Sequence, residues 1–131
     1  MTLTEVVISL ALLLIIWLAT VEVLITSRIS SSMARHKAQA MYVMQRTIED
    51  LKKQPFANIA GSTTTVSIDT KGTPDNYSDD FKGTQIVTVT SPSTYYKQII
   101  VELRWNEVFF GKTKIMKEYL GTYIANDPQA I

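Results

Sequence analysis

The chain has 131 residues, a formal net charge of +1, one histidine and no cysteine. That length fits one compact domain with an appended element, and so small a net charge gives no overall drive toward nucleic acid. The missing cysteines exclude a disulfide framework and a thiolate metal site, and a single histidine, His36, excludes a histidine-rich metal centre.

Charge is distributed unevenly. Residues 1–27 carry two acids, Glu5 and Glu22, and no lysine or arginine. Residues 28–53 carry six bases (Arg28, Arg35, Lys37, Arg46, Lys52, Lys53) against Glu49 and Asp50, and the remainder is near neutral. A membrane-compatible segment, a basic segment beside it and a neutral head follow one another.

The chain opens Met1-Thr2-Leu3-Thr4-Glu5, and residues 6–21 are 16 positions without a charge. The run reaches about 20 residues if Glu22 snorkels or is paired, enough to cross a bilayer. A signal peptide fits poorly: there is no basic n-region, and Ile25-Thr26-Ser27-Arg28 is a weak cleavage signal. The positive-inside rule would place residues 28–37 in the cytoplasm, at odds with an exported head unless a basic leader preceding Met1 has been removed. Glu5 is the anomaly. A charge at mid-bilayer depth costs about 2.5–3.5 kcal/mol on insertion scales. The helix macrodipole favours an acid near an N-terminus, but that does not explain why the acid sits at the membrane end of an apolar helix. The expected partner is the α-amine of another copy.

Residues 1–54 contain no glycine and no proline, so nothing obliges a helix to stop before Gln54-Pro55. Such a helix would be a rod of roughly 80 Å. Its first half is apolar all round. Its second half carries a stripe of Met33, Lys37, Ala40, Met41, Met44, Ile48 and Leu51, with Arg35, Gln39, Arg46, Glu49, Asp50 and Lys53 opposite.

The rest reads as β-structure. Strands are expected over 63–69, 84–90, 96–105 and 114–124, with residues 71–83 as a loop and a turn near Phe110-Gly111-Lys112. The third strand is the clearest: Ile99, Val101, Leu103 and Trp105 share one face, and Gln98, Glu102 and Arg104 the other. A sheet of about 75 residues would be marginal alone, so the stripe from Met41 to Leu51 is expected to close its core. The fold class is α+β: a long N-terminal α-helix packed on a small antiparallel β-sheet. The expected division is 1–27 as hydrophobic half-helix, 28–54 as amphipathic half-helix and 55–131 as sheet head.

The spacing Thr2-Leu3-Thr4-Glu5-Val6, followed by Ile8-Ser9-Leu10-Ala11-Leu12, resembles the mature N-terminus of type IV pilins and type II secretion pseudopilins. The motif covers about 25 residues, and the helix-then-sheet order extends the likeness along the chain. The resemblance implies the ladle-shaped pilin architecture. It also implies that a prepilin peptidase removes a basic leader, that Met1 is N-methylated, and that subunits wait in the inner membrane. An assembly ATPase and a platform protein would then extract them into an extracellular helical homo-oligomer, with Glu5 paired to the Met1 amine of a neighbour and Thr2 close by. The chain departs from the family in having no helix breaker near Leu14 or Glu22 and no C-terminal cysteine pair.

Other features carry two readings each. Glu22 is an interfacial residue or pairs with Arg28 or Arg35 of another copy. Residues 28–37 are a solvated helix face or take part in charge pairing inside a filament. Asn76-Tyr77-Ser78 is a glycosylation sequon in the expected loop, and Asp75, Asp79 and Asp80 match no calcium-loop spacing. No catalytic, cofactor or metal set assembles around one helical histidine, so a non-enzyme without cofactor is expected. The functions in play are the structural subunit of a type IV pilus-like filament, a minor pilin or pseudopilin of a short periplasmic filament, and a single-span membrane-anchored binding module.

Overall fold

The computed structural model describes residues 2–70, 72 and 80–126. The run without glycine or proline gives one α-helix, α1, over Leu3–Lys52. Pro55 ends it: proline lacks an N–H and disfavours helical backbone in the residue before it. The helix therefore stops two residues short of Gln54, and a 3₁₀ turn over Phe56–Asn58 follows. Four antiparallel strands complete the chain: β1 (Ser62–Asp69), β2 (Phe81–Thr90), β3 (Tyr96–Phe109) and β4 (Lys112–Ala125), in spatial order β1-β2-β3-β4. The molecule is thus α+β. It divides into two compact units, residues 1–34 and residues 35–131.

In the second unit the helical stripe meets the sheet. Ala40, Met44, Ile48 and Leu51 are buried with Ile59, Ile68, Val87, Ile99, Val101, Leu103 and Trp105. The period-two pattern of β3 places Ile99, Val101, Leu103 and Trp105 on the face that meets the helix. Opposite them in register stand Val89, Val87 and Gln85 on β2, and Thr122, Leu120, Glu118 and Met116 on β4. Lys37 departs from the expected stripe. Its side chain is 59% exposed, and His36 takes the inward position at 15%. A polar chain crosses this core: the amide of Gln85 donates to Thr47 Oγ1 at 2.7 Å, and Thr47 donates to the Val43 carbonyl. Beyond the helix, Lys97 Nζ donates to the carbonyls of Phe56 (2.6 Å) and Ile59 (3.0 Å), which ties the 3₁₀ turn to β3. On the outward face Glu102 accepts hydrogen bonds from Arg104 and Tyr119, and the Arg104 guanidinium holds its carboxyl below the usual carboxylate range.

The expected loop over 71–83 is shorter than its composition implies, because Phe81, Lys82 and Gly83 belong to β2. Gly83 reads as a turn residue and is instead a packing residue. A Cβ built there would lie 2.8 Å from the Arg104 carbonyl oxygen and 2.7 Å from Ile68 Cδ1. The first atom is backbone and cannot step aside without moving a strand. Gly83→Ala is therefore expected to destabilise the protein by about 1–3 kcal/mol, read as a lowered urea midpoint. An unchanged midpoint would show that the strands yield freely there.

A second local feature is the β3–β4 turn. Phe109 pairs with Lys112, so the two-residue loop is Phe110-Gly111. Both loop residues have positive φ, 44° for Phe110 and 77° for Gly111. Such turns favour Asn-Gly, and left-handed backbone costs an ordinary L-residue about 1–2 kcal/mol. Phe110→Asn should relieve part of that strain and raise stability by about 1 kcal/mol, visible as a higher melting temperature; a lower one would contradict the strain.

Candidate functional site

At the N-terminal end the sequence Thr2-x-x-Glu5 has the spacing of a capping box and forms half of one, the bond from the Thr2 N–H to the Glu5 carboxylate. The Thr2 carbonyl accepts the first helical bonds from Glu5 N (3.1 Å) and Val6 N (3.2 Å), and the Thr2 N–H donates to Glu5 Oε2 at 3.4 Å. The Thr2 and Thr4 hydroxyls bond to each other at 3.0 Å. Glu5 is thereby turned back along the chain toward the Thr2 N–H. Met1 itself lies outside the described residues. Among the described residues no salt bridge involves Glu5 (the acid has backbone contact but no cation).

The surface around this acid is apolar. Nearly every side chain from Leu3 to Ile25 is exposed in the isolated chain, Leu3 at 82% and Ile16 at 67%. The most apolar 18-residue window has a mean hydropathy of 2.6 with none of it buried, so α1 qualifies as a candidate membrane span. Three hydroxyls on this surface are satisfied internally. Ser9, Thr20 and Thr26 each donate to the carbonyl four residues back, at 2.8, 2.8 and 2.9 Å. That arrangement leaves no hydroxyl seeking water, as hydrocarbon surroundings require.

The other expected site residues separate. Glu22 and Arg28 are exposed and form no salt bridge among the described residues. Arg35 pairs within its own chain, Nη2 lying 3.0 Å from Asp69 Oδ2. Asn76, Tyr77, Ser78, Asp75 and Asp79 lie outside the described residues.

The sequence reading missed one constellation. Three consecutive helical residues each engage an acid on a different strand. Arg35 meets Asp69 on β1, His36 Nδ1 lies 2.7 Å from Glu107 Oε1 on β3, and Lys37 Nζ lies 2.7 Å from Glu118 on β4. Successive positions on a helix point about 100° apart, so a helix lying over the sheet sends one side chain left, one down and one right. The central pair is the buried one. Glu107 also accepts from Trp105 Nε1 at 3.0 Å, and the His36 ring stacks on Phe81 with centroids 4.0 Å apart. The signal for Glu107 was present in its parity: it continues the inward series Ile99, Val101, Leu103, Trp105 by one step.

No protein-family model matches the chain, and no curated protein and no solved structure matches it either.

Proposed function

We propose that the chain is the structural subunit of a type IV pilus-like filament, held in the inner membrane through the first part of α1 and polymerised through that same apolar surface. The observation that carries the reading is Glu5: an acid at the leading end of an exposed apolar run from Leu3 to Ile25, with no cation from its own chain among the described residues. Bare apolar surface of this extent needs lipid or other copies around it. Lipid alone accounts for the leucines and isoleucines but gives the carboxylate nothing. A neighbouring copy supplies both an apolar helix and an amino terminus.

Packing between helices gains no hydrophobic driving force over lipid, so apolar contact alone leaves the helices free to slide. A buried ion pair adds little net stability. Its contribution here is register, since only one axial offset sets each Glu5 beside the next Met1 nitrogen. Thr2, whose N–H already holds the Glu5 carboxylate, positions the acid for that contact. Residues 35–131 would then form the exposed head of each subunit.

Electron microscopy of the purified full chain after detergent removal tests the reading. Long fibres of this one chain are expected. Dispersed single copies in lipid would instead make it a membrane-anchored binding module.

A further inference from the structure

The sheet is open on both sides. β1 and β4 each have one neighbour, and among the described residues nothing pairs with their outer edges. An edge strand offers unpaired N–H and C=O groups to a further strand. A single bond identifies those groups. The Asn126 N–H donates to the Tyr95 carbonyl, one step beyond the Tyr96–Ala125 pair, and facing residues in an antiparallel ladder alternate between bonded and unbonded pairs. The even-numbered residues of β4 therefore bond to β3, and Tyr119, Gly121 and Tyr123 turn their backbone groups to the open edge. Carried across β3 and β2, the same alternation turns those of Thr63, Thr65 and Ser67 to the open edge of β1.

Edges are ordinarily guarded by charge, proline or a bulge. On β4 the lysines at 112, 114 and 117 and the acid at 118 guard the first half, and residues 119–125 hold no charge and no proline. On β1 the bulge lies between Ser67 and Asp69, and residues 62–68 are likewise uncharged. Gly121 has no packing reason within its own chain: a Cβ there would meet the Ile99 carbonyl oxygen at an ordinary 3.8 Å. Glycine inside a strand weakens it and often marks a close approach by another backbone. A groove of about 400 Å³ runs beside this half of β4, lined by Gln45, Ile48, Glu49 and Lys52 of α1 and by Leu120 and Thr122.

We propose that β1 of a second copy pairs antiparallel with β4, residues 62–67 against residues 119–124, so that the sheets of successive heads join edge to edge. Strand order gives the polarity. Each strand is antiparallel to its neighbour, so β1 runs opposite to β4 and the next copy continues the sheet without being turned over. Facing residues must share a sheet face, which allows Thr63 opposite Tyr123, Thr65 opposite Gly121 and Ser67 opposite Tyr119 on the outer face. Thr64 then meets Thr122 and Val66 meets Leu120 on the inner face, and Thr64, exposed in the single chain, enters the groove beside α1. This register keeps β1 clear of the lysine-bearing half of β4, and no charge faces another across it. Added strands of this kind gain affinity from main-chain bonds and specificity from alternate side chains. Pairing β4 with β4 would close a two-fold dimer, whereas one β1 and one β4 per copy repeat without end. The contact rests on the filament reading: six residues a side are far fewer than the roughly 20–30 of a stable standalone interface, so the strands join where polymerisation brings copies together.

The chain has no cysteine, so a disulfide can report the pairing. Thr63 and Tyr123 lie on opposite edges of one head, three strand spacings or at least about 14 Å apart, too far for a bridge within one chain. Full chains carrying Thr63→Cys and full chains carrying Tyr123→Cys are mixed, assembled by detergent removal and oxidised. A dimer containing one of each is expected, and a chain carrying both substitutions should give a ladder of dimers, trimers and longer products. Gly121→Pro removes an outward N–H and fills the edge, so in the doubly substituted chain it should abolish the ladder while the urea midpoint of the head stays nearly unchanged. In the unsubstituted chain, hydrogen exchange at Thr63, Thr65, Gly121 and Tyr123 should slow about tenfold or more on assembly. Fibres without the mixed dimer, or with unchanged exchange at these residues, would overturn the edge pairing and leave the filament reading standing. A ladder that survives Gly121→Pro would overturn the backbone pairing, and dimers from Tyr123→Cys alone would show two β4 edges in contact instead. If the unsubstituted chain forms no fibres, both readings fall.

Discussion

Glu5→Ala should abolish filament formation while leaving the chain in the membrane. The substitution removes a charge from an apolar helix, so insertion becomes easier, not harder. Its effect falls on the assembled state. Each subunit interface would retain a leading amine in a poorly solvated setting with no carboxylate opposite, and breaking one side of such a pair costs about 3–5 kcal/mol. At about 1.4 kcal/mol per tenfold, subunit addition weakens by about 100- to 4,000-fold, enough to stop polymer growth. The competing role is local. Glu5 accepts from the Thr2 N–H at the start of the helix, and loss of a cap costs about 0.5–2 kcal/mol at one helix end. Glu5→Gln separates the two, because its carbonyl oxygen can still accept from Thr2 but carries no charge. If charge pairing governs assembly, both variants are found in the membrane fraction and neither gives fibres in micrographs. Fibres from Glu5→Gln alone would assign the acid to capping. Abundant normal fibres from Glu5→Ala would remove the basis of the filament reading.

The fold was legible because its signals are periodic and unopposed. The lack of any glycine or proline before Pro55 set the helix, and the alternation of Ile99, Val101, Leu103 and Trp105 set the central strand and its inward face. The stripe through Ala40, Met44, Ile48 and Leu51 named the helix side of the core correctly. Errors arose where one residue type serves two purposes. Gly83, with Asp79 and Asp80 just before it, looks like turn chemistry, yet its missing side chain is what lets β2 lie against the Arg104 carbonyl. Lys37 fell on the stripe by spacing alone, and a one-position rotation gives the inward place to His36 instead. Ending the third strand at Trp105 hid Glu107, the one inward acid on that strand. The bond from the Thr2 N–H to Glu5 was also readable, since Thr-x-x-Glu before an apolar run is the capping-box signature.

Within the head the largest effect is expected from Glu107→Ala. The Glu107 Oε1 atom is the acceptor for two donors at once, His36 Nδ1 at 2.7 Å and Trp105 Nε1 at 3.0 Å. The carboxylate is 10% exposed and the imidazole 15%, so water cannot readily replace either contact. Truncation therefore leaves two largely buried donors without an acceptor, at about 1–3 kcal/mol each, and opens a gap beneath the stacked His36 and Phe81 rings. A total loss of about 3–5 kcal/mol is a large share of the 5–15 kcal/mol typical of a whole domain. Glu107→Gln keeps an oxygen in place and should cost much less if hydrogen bonding dominates, or nearly as much if the charge on the carboxylate does. A double-mutant cycle with His36→Ala isolates the pair, because Trp105 stays bonded in the histidine variant. The flanking pairs provide the contrast. Lys37–Glu118 has a 59% exposed lysine and Arg35–Asp69 a 61% exposed arginine, and exposed ion pairs contribute only about 0–1 kcal/mol. Lys37→Ala should then shift the urea midpoint little, while Glu107→Ala shifts it strongly and alters the near-ultraviolet signal of Trp105. A Lys37 variant as damaging as the Glu107 variant would mean that the three contacts act as one cooperative clamp, with the buried pair holding no special place in it.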